Sequence, residues 1–270
     1  MSGLSNPFTM PTFLEALHTR LDHGETKHGD RAVYEPWSWT VEQLGAECAD
    51  LAVWAWVLHT RAGCYPNGAE VRIAVARWVR SSWALTRACV LLVEQLSQHY
   101  PASAPSDPPA SRLLLSDRRW ISDALTADAY SVPQRAIPTR KIREAYAARC
   151  IDRSLAGAQL HGDVSFAHDG TWLLHELADE VCGLAGWLHV LRVQVGLAPS
   201  ILGGHVRACR TLYDQLPAIR LLVATGEAEW ADGVTFDVPV PEAVGRWVDD
   251  ILSDVHLSVV AQSATTEVQS

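Results

Sequence analysis

Apolar residues recur at alternating steps of three and four along two stretches of this chain. In WTVEQLGAECADLAVWAWVL (residues 39–58) the stripe is Leu44, Cys48, Leu51, Ala55 and Leu58; in WLLHELADEVCGLAGWLHVL (172–191) it is Leu177, Val181, Leu184, Leu188 and Leu191. That spacing places each set on one side of an α-helix. The two stretches align without a gap at a constant offset of 133 residues. Identical pairs extend well before and after them, among them Arg20/Arg153, Gly24/Gly157, His28/His161, Asp30/Asp163, Trp39/Trp172, Glu47/Glu180, Trp54/Trp187 and Gly63/Gly196. A period of this kind means that one unit is written twice. The expected fold is all-α, a helical bundle built from two tandem pseudo-symmetric repeats.

The same patterning divides the chain. Residues 1–100 form the first repeat: a helix whose Thr12 and Glu15 make a capping box and which stops near Gly24 to Gly29, an aromatic turn through HGDRAVYEPWS, and the striped helix, capped by Thr40 with Gln43. AEVRIAVARWVRSSWALTRACVLLVEQLSQHY then forms one long helix or two shorter ones. Residues 101–138 are a Pro-rich linker with a short amphipathic helix, since PASAPSDPPA cannot be helical. Residues 139–262 hold the second repeat and a closing helix that starts at Pro241, with Pro217 a break on the way and GVTFDVPVP a short extended segment. Residues 263–270 are a disordered tail.

Composition narrows the function. A chain of 270 residues that is 48% hydrophobic can bury a sizeable core. Its formal net charge of -9 disfavours a nucleic-acid polymer as partner, because such binding rests on neutralising phosphates. No uninterrupted apolar run spans a membrane, and MSGLSNPFTMPTF lacks the features of a secretory leader. The six cysteines show no zinc spacing, and four lie inside apolar helical patterns, which fits a reducing cytoplasm. A soluble, cytoplasmic protein is expected, with homo-oligomerisation open.

Candidate chemistry lies beside the stripes. Gln43, Glu47, Asp50 and Trp54 share one edge of the first striped helix; Glu176, Glu180, Gly183 and Trp187 share that of the second. A carboxylate beside an apolar seam must be hydrogen-bonded, paired with a cation or metal-bound. Glu47, Asp50, Glu176 and Glu180 are therefore candidate ligands for Mg²⁺ or Mn²⁺, which favour carboxylate and phosphate oxygens; the alternative is pairing with arginines. Asp179 reads as a solvated neighbour. Arg72, Arg80 and Arg87 fall together on a helical wheel, as a phosphate-facing stripe or as a solvated face. His28 and His161, each before Gly-Asp, orient a substrate or mark an ordinary helix stop. The tryptophans Trp39, Trp54, Trp172 and Trp187 stack on a base or fill the core.

The pattern E-x-x-D-x-A-x-W in ECADLAVW, after a helix ending in KHGD, resembles the MazG-like all-α nucleoside triphosphate pyrophosphohydrolases over about residues 13–63 and, more weakly, 146–196. The resemblance implies a Mg²⁺-dependent hydrolase that splits a nucleotide between its α- and β-phosphates. On this chain it implies a composite site between the repeats. Glu47 and Glu180 would be catalytic, Glu47, Asp50, Glu176 and Glu180 would hold the metal, and His28, Asp30, His161, Asp163, Arg72 and Arg80 would bind the nucleotide. The departures are specific: no E-x-x-E pair precedes either striped helix, Gly183 stands where Asp50 does, and Gln43 stands where Glu176 does. The hydrolase is the leading expectation; the departures support its rival, a non-catalytic helical scaffold for nucleotide or protein binding.

Overall fold

Thr12 and Glu15 open the first helix as a reciprocal cap: the Thr12 backbone N–H donates to Glu15 Oε2 at 2.8 Å and Glu15 N–H donates to Thr12 Oγ1 at 3.3 Å. In the computed structural model, which describes residues 10–28, 31–99, 117–126, 139–161, 164–228 and 238–253, that helix is α1, Phe13–His28. It is followed by α2 (Arg31–Tyr34), α3 (Trp37–Arg61), α4 (Gly68–His99), α5 (Arg119–Thr126) and α6 (Thr139–His161). The chain continues through α7 (Val164–Ala167), α8 (Gly170–Val195), α9 (Gly203–Ala228) and α10 (Ala243–Ser253). Among the described residues there is no strand, so the fold is all-α.

The apolar stripes drive the packing. All ten stripe residues, from Leu44 to Leu58 on α3 and from Leu177 to Leu191 on α8, are buried, and α3 and α8 pack chiefly against each other at the centre. Around this pair, α1 lies on α8 and α6 lies on α3, while α4 and α9 pack together and cover the flanks. Short helices repeat in place: α2 at 31–34 and α7 at 164–167 stand 133 residues apart. Buried polar groups fix the joints. Thr40 donates its hydroxyl to Gln194 Oε1 at 2.8 Å, and Gln194 Nε2 donates to the carbonyls of Ala32 and Glu35, tying α8 to the entry of α3.

Several local expectations are corrected. The second helix starts at Trp37, with Pro36 at its N-cap, so Thr40 is a buried interior residue and does not cap with Gln43. α4 is one continuous helix. Pro217 lies inside α9 without ending it, because Leu216, Ile219 and Val223 hold the helix in the core on both sides of the lost N–H. The first helix, by contrast, ends at His28, within the expected stop near Gly24 to Gly29. Residues 238–240 carry no regular structure, and the closing helix begins at Ala243, not at Pro241. The Pro-rich stretch 101–110 and the tail 263–270 lie outside the described residues.

The ends of α8 follow standard chemistry. Asp169 caps it by accepting the Trp172 N–H at 2.7 Å, and Gly196 ends it at φ 70°, a left-handed conformation that suits glycine. Replacing Asp169 by alanine is expected to lower stability by about 1 kcal/mol. Urea denaturation checks this, and an unchanged midpoint would remove the cap from the account.

Candidate functional site: a crossed acidic pair between two helices

The acidic edges of α3 and α8 face each other. Trp187 on α8 donates its indole N–H to Glu47 Oε1 on α3 at 3.0 Å, and Trp54 on α3 donates to Glu180 Oε1 on α8 at 3.3 Å. The aromatic contacts cross in the same way. Trp39 meets Trp187 edge to face at 5.2 Å between centroids, and Trp54 meets Trp172 likewise at 5.5 Å. These four tryptophans are thus half-buried packing elements of the α3–α8 seam.

Glu47 and Glu180 meet in the middle, within hydrogen-bonding reach of each other. Burial first, and then the Glu47 carboxylate, push Glu180 well above the usual range. Like charges this close in a desolvated place do not both ionise. Glu47 Oε2 is buried and meets no hydrogen-bond donor among the described residues.

Arginines take the flanking acids. Arg153 on α6 grips Asp50 with two bonds, Nε to Oδ1 at 2.8 Å and Nη2 to Oδ2 at 2.6 Å. Burial nevertheless leaves Asp50 above its ordinary value, opposed by that arginine. Arg20 on α1 stands 3.0 Å from Asp179 and 3.7 Å from Glu47. Asp179 is exposed, as expected of a solvated neighbour, and carries this ion pair.

Gly183 has a spatial reason. A Cβ built there would come within 2.7 Å of Glu47 Oε2 and 2.9 Å of its Cδ, so the Glu47 carboxylate occupies the space in which a side chain would begin.

The remaining candidates divide. Glu176, pushed up by burial and then by Asp179, lies one turn before Glu180 and feels His168 and Arg20. Arg72 donates Nε to the His59 carbonyl at 3.2 Å and Arg80 donates Nε to the Ile251 carbonyl at 2.8 Å, so each guanidinium has a backbone partner. Asp30 and Asp163 lie outside the described residues, as do the side chains of His28 and His161. Arg20 and Arg153 were visible only as an identical pair 133 residues apart, with no role attached.

No group of three or more His, Cys, Asp and Glu side chains that could hold a metal occurs among the described residues. Donor chemistry explains it: both Asp50 oxygens are taken by a guanidinium, and Glu47 and Glu180 each accept an indole N–H. As arranged, this set does not fit Mg²⁺ or Mn²⁺.

Two clefts open on opposite edges of the seam. One, of about 170 Å³, is lined by Asp50, Trp54, Arg153 and Glu180; the other, of about 90 Å³, by Gly183, Trp187, Arg20 and Lys27. No helix among the described residues is long and apolar enough to cross a membrane. A scan against protein-family models, a search of curated proteins and a search of solved structures each found no match.

Proposed function

We propose that this chain is a non-catalytic helical scaffold: two tandem, pseudo-symmetric copies of one unit that keep the architecture of the pyrophosphohydrolases the sequence resembles, with the acidic centre turned into a packing joint. Matched helices and crossed contacts support the duplication, since each partner of the Trp54–Glu180 bond has its counterpart 133 residues away in Trp187–Glu47. One observation carries the loss of chemistry. The carboxylates of the central edge find partners inside the protein, Asp50 in Arg153, Glu47 in the Trp187 indole and Glu180 in the Trp54 indole, and no metal-holding group occurs among the described residues. The scaffold binds ligands or proteins in its clefts.

A second reading, hydrolysis of nucleoside triphosphates assisted by Mg²⁺, is favoured by the placement of Asp50 and Glu180 in one cleft beside Trp54. It requires Arg153 to release Asp50. The test is pyrophosphate release from a panel of nucleoside triphosphates with Mg²⁺ or Mn²⁺, alongside thermal melts with and without metal. No turnover and no change in melting temperature are expected, because a metal that bound only the folded chain would raise it. Turnover that disappears in the double variant Glu47→Gln, Glu180→Gln would sink the scaffold reading and establish the hydrolase.

A further inference from the structure

The short helix between the two repeats has a twin at the end of α10. Residues 119–126 of α5 read RWISDALT and residues 246–253 of α10 read RWVDDILS, which pairs Arg119 with Arg246, Trp120 with Trp247, Asp123 with Asp250 and Leu125 with Leu252. Ile121 and Ala124 fall opposite Val248 and Ile251, and all four are buried. The surroundings match as well. Trp120 stacks on His189 of α8 at 4.3 Å between centroids, and Trp247 meets His59 of α3 at 5.2 Å. Arg207 of α9 donates to the carbonyls of Ala124 and Leu125 at 3.3 and 3.5 Å, and Arg80 of α4 donates to that of Ile251, the counterpart of Ala124, at 2.8 Å. In both places an arginine serves last-turn carbonyls that have no partner within their own helix. Arg80 and Arg207 also stand as far apart in the chain as the two helices do. Both indole N–H groups are buried and find no acceptor among the described residues.

We propose that α5 and α10 are one recognition helix written twice, and that each fills a helix-binding slot built by the opposite half of the chain. α5 follows the helices of the first half but packs on α9 and the turn Pro199–Leu202 of the second, with Trp120 against α8. α10 closes the second half but reaches α3 and α4 of the first. Each keeps a charged tie to the first helix of its own half: Arg118, just before α5, to Asp22 and Glu25 on α1, and Asp249 to Arg143 on α6 at 2.9 Å. The partner that a slot fits is an amphipathic helix of pattern R-W-x-x-D-x-L, apolar after the tryptophan and before the leucine. Its buried anchors, three and four residues apart, lie on one helix face, as in other helix-in-groove recognition. The α8–α9 slot is shaped for the indole in advance, because Arg192 Nε donates to Nδ1 of the buried His189 at 3.3 Å and holds that ring in place. The inference rests on the reading of the chain as two copies of one unit and extends the copy to the linker helix; it does not depend on whether the acidic pair is catalytic.

Fluorescence anisotropy tests it, with labelled peptides spanning residues 117–126 and 242–253 titrated with the full chain. In the wild type both slots are filled from within, and neither peptide should compete well. Trp120→Ala removes the anchor that holds α5 in the α8–α9 slot, and Trp247→Ala, at a half-buried position, does the same for α10. Each variant should bind both peptides at least about ten-fold tighter than the wild type does, and a peptide with alanine for its own tryptophan should not bind. Where a variant is partly unfolded, the same peptides should raise its melting temperature by mass action, so loss of folding is itself a readout. Failure of both variants to gain binding or stability, or equal effects of the alanine peptides, would overturn the slots. If each variant takes only the peptide of the helix it lost, the shared recognition helix is overturned, while the crossed Trp–Glu bonds that support the tandem reading stand. Pyrophosphate release by the wild type would remove the non-catalytic reading and leave the slots in place.

Discussion

Replacing Arg61 by alanine is expected to destabilise the protein by about 3–5 kcal/mol, the largest single effect expected here. Arg61, with its side chain 8% exposed, donates Nε to Tyr65 Oη at 3.0 Å and to Glu227 Oε1 at 3.3 Å, and Nη1 to the Phe166 carbonyl at 3.2 Å. Glu227 Oε1 also accepts from the Tyr65 hydroxyl at 2.9 Å and from the Gly170 N–H at 2.6 Å. One carboxylate therefore joins the end of α3, the start of α8 and the end of α9. Removing the guanidinium leaves that carboxylate in a largely dry place without its counter-charge. A drop of about 10 °C in melting temperature should follow. Adding Glu227→Gln should recover part of the loss, because the neutral amide oxygen still accepts from Tyr65 and Gly170. A change within about 0.5 kcal/mol for the single variant, the scale of ordinary surface substitutions, would show that the network is not holding these ends together.

The second large effect is a change in pH dependence on replacing Glu180 by glutamine. Glu180 is raised from its ordinary 4.5 in the folded chain, so the folded state holds a proton that the unfolded state releases. Stability from this group is full below about 4.5 and is lost as pH climbs through the raised value, at most about 1.4 kcal/mol per pH unit for one proton. Asp50 and Glu176 are shifted in the same direction, so the wild-type decline includes their share. Glutamine presents a permanent N–H to Glu47 Oε2 and an oxygen to the Trp54 indole. Urea titrations over roughly pH 5 to 9 should show a shallower decline for the variant, by about one proton's worth, and a more stable variant at the alkaline end. Parallel curves would remove that proton from the account.

Much of the fold was legible in the chain because the signals are local. The apolar stripes on α3 and α8, the Thr12–Glu15 cap and the offset between the halves are all readable along the sequence, and the helices fall where they point. Thr40 misled because a threonine ahead of an apolar run has the form of a cap, whereas its partner, Gln194, lies 154 residues away. Pro217 misled for a related reason: the cost of a missing N–H is local, and the burial that outweighs it comes from other helices. At the site, composition named the acids but not their partners. Arg20, Arg153 and the two indoles are long-range, and nothing in E-x-x-D distinguishes a carboxylate awaiting a metal from one already held by a guanidinium.

The space beside Gly183 bears on how such a joint could change over generations. In an assembly of two identical chains related by a two-fold axis, one codon writes both faces of the interface, so an aspartate could be neither kept on one face nor dropped from the other. Here positions 50 and 183 are encoded separately. Asp50 stays with Arg153 while Gly183 yields its space to Glu47, and the two sides of the seam are free to drift toward different tasks.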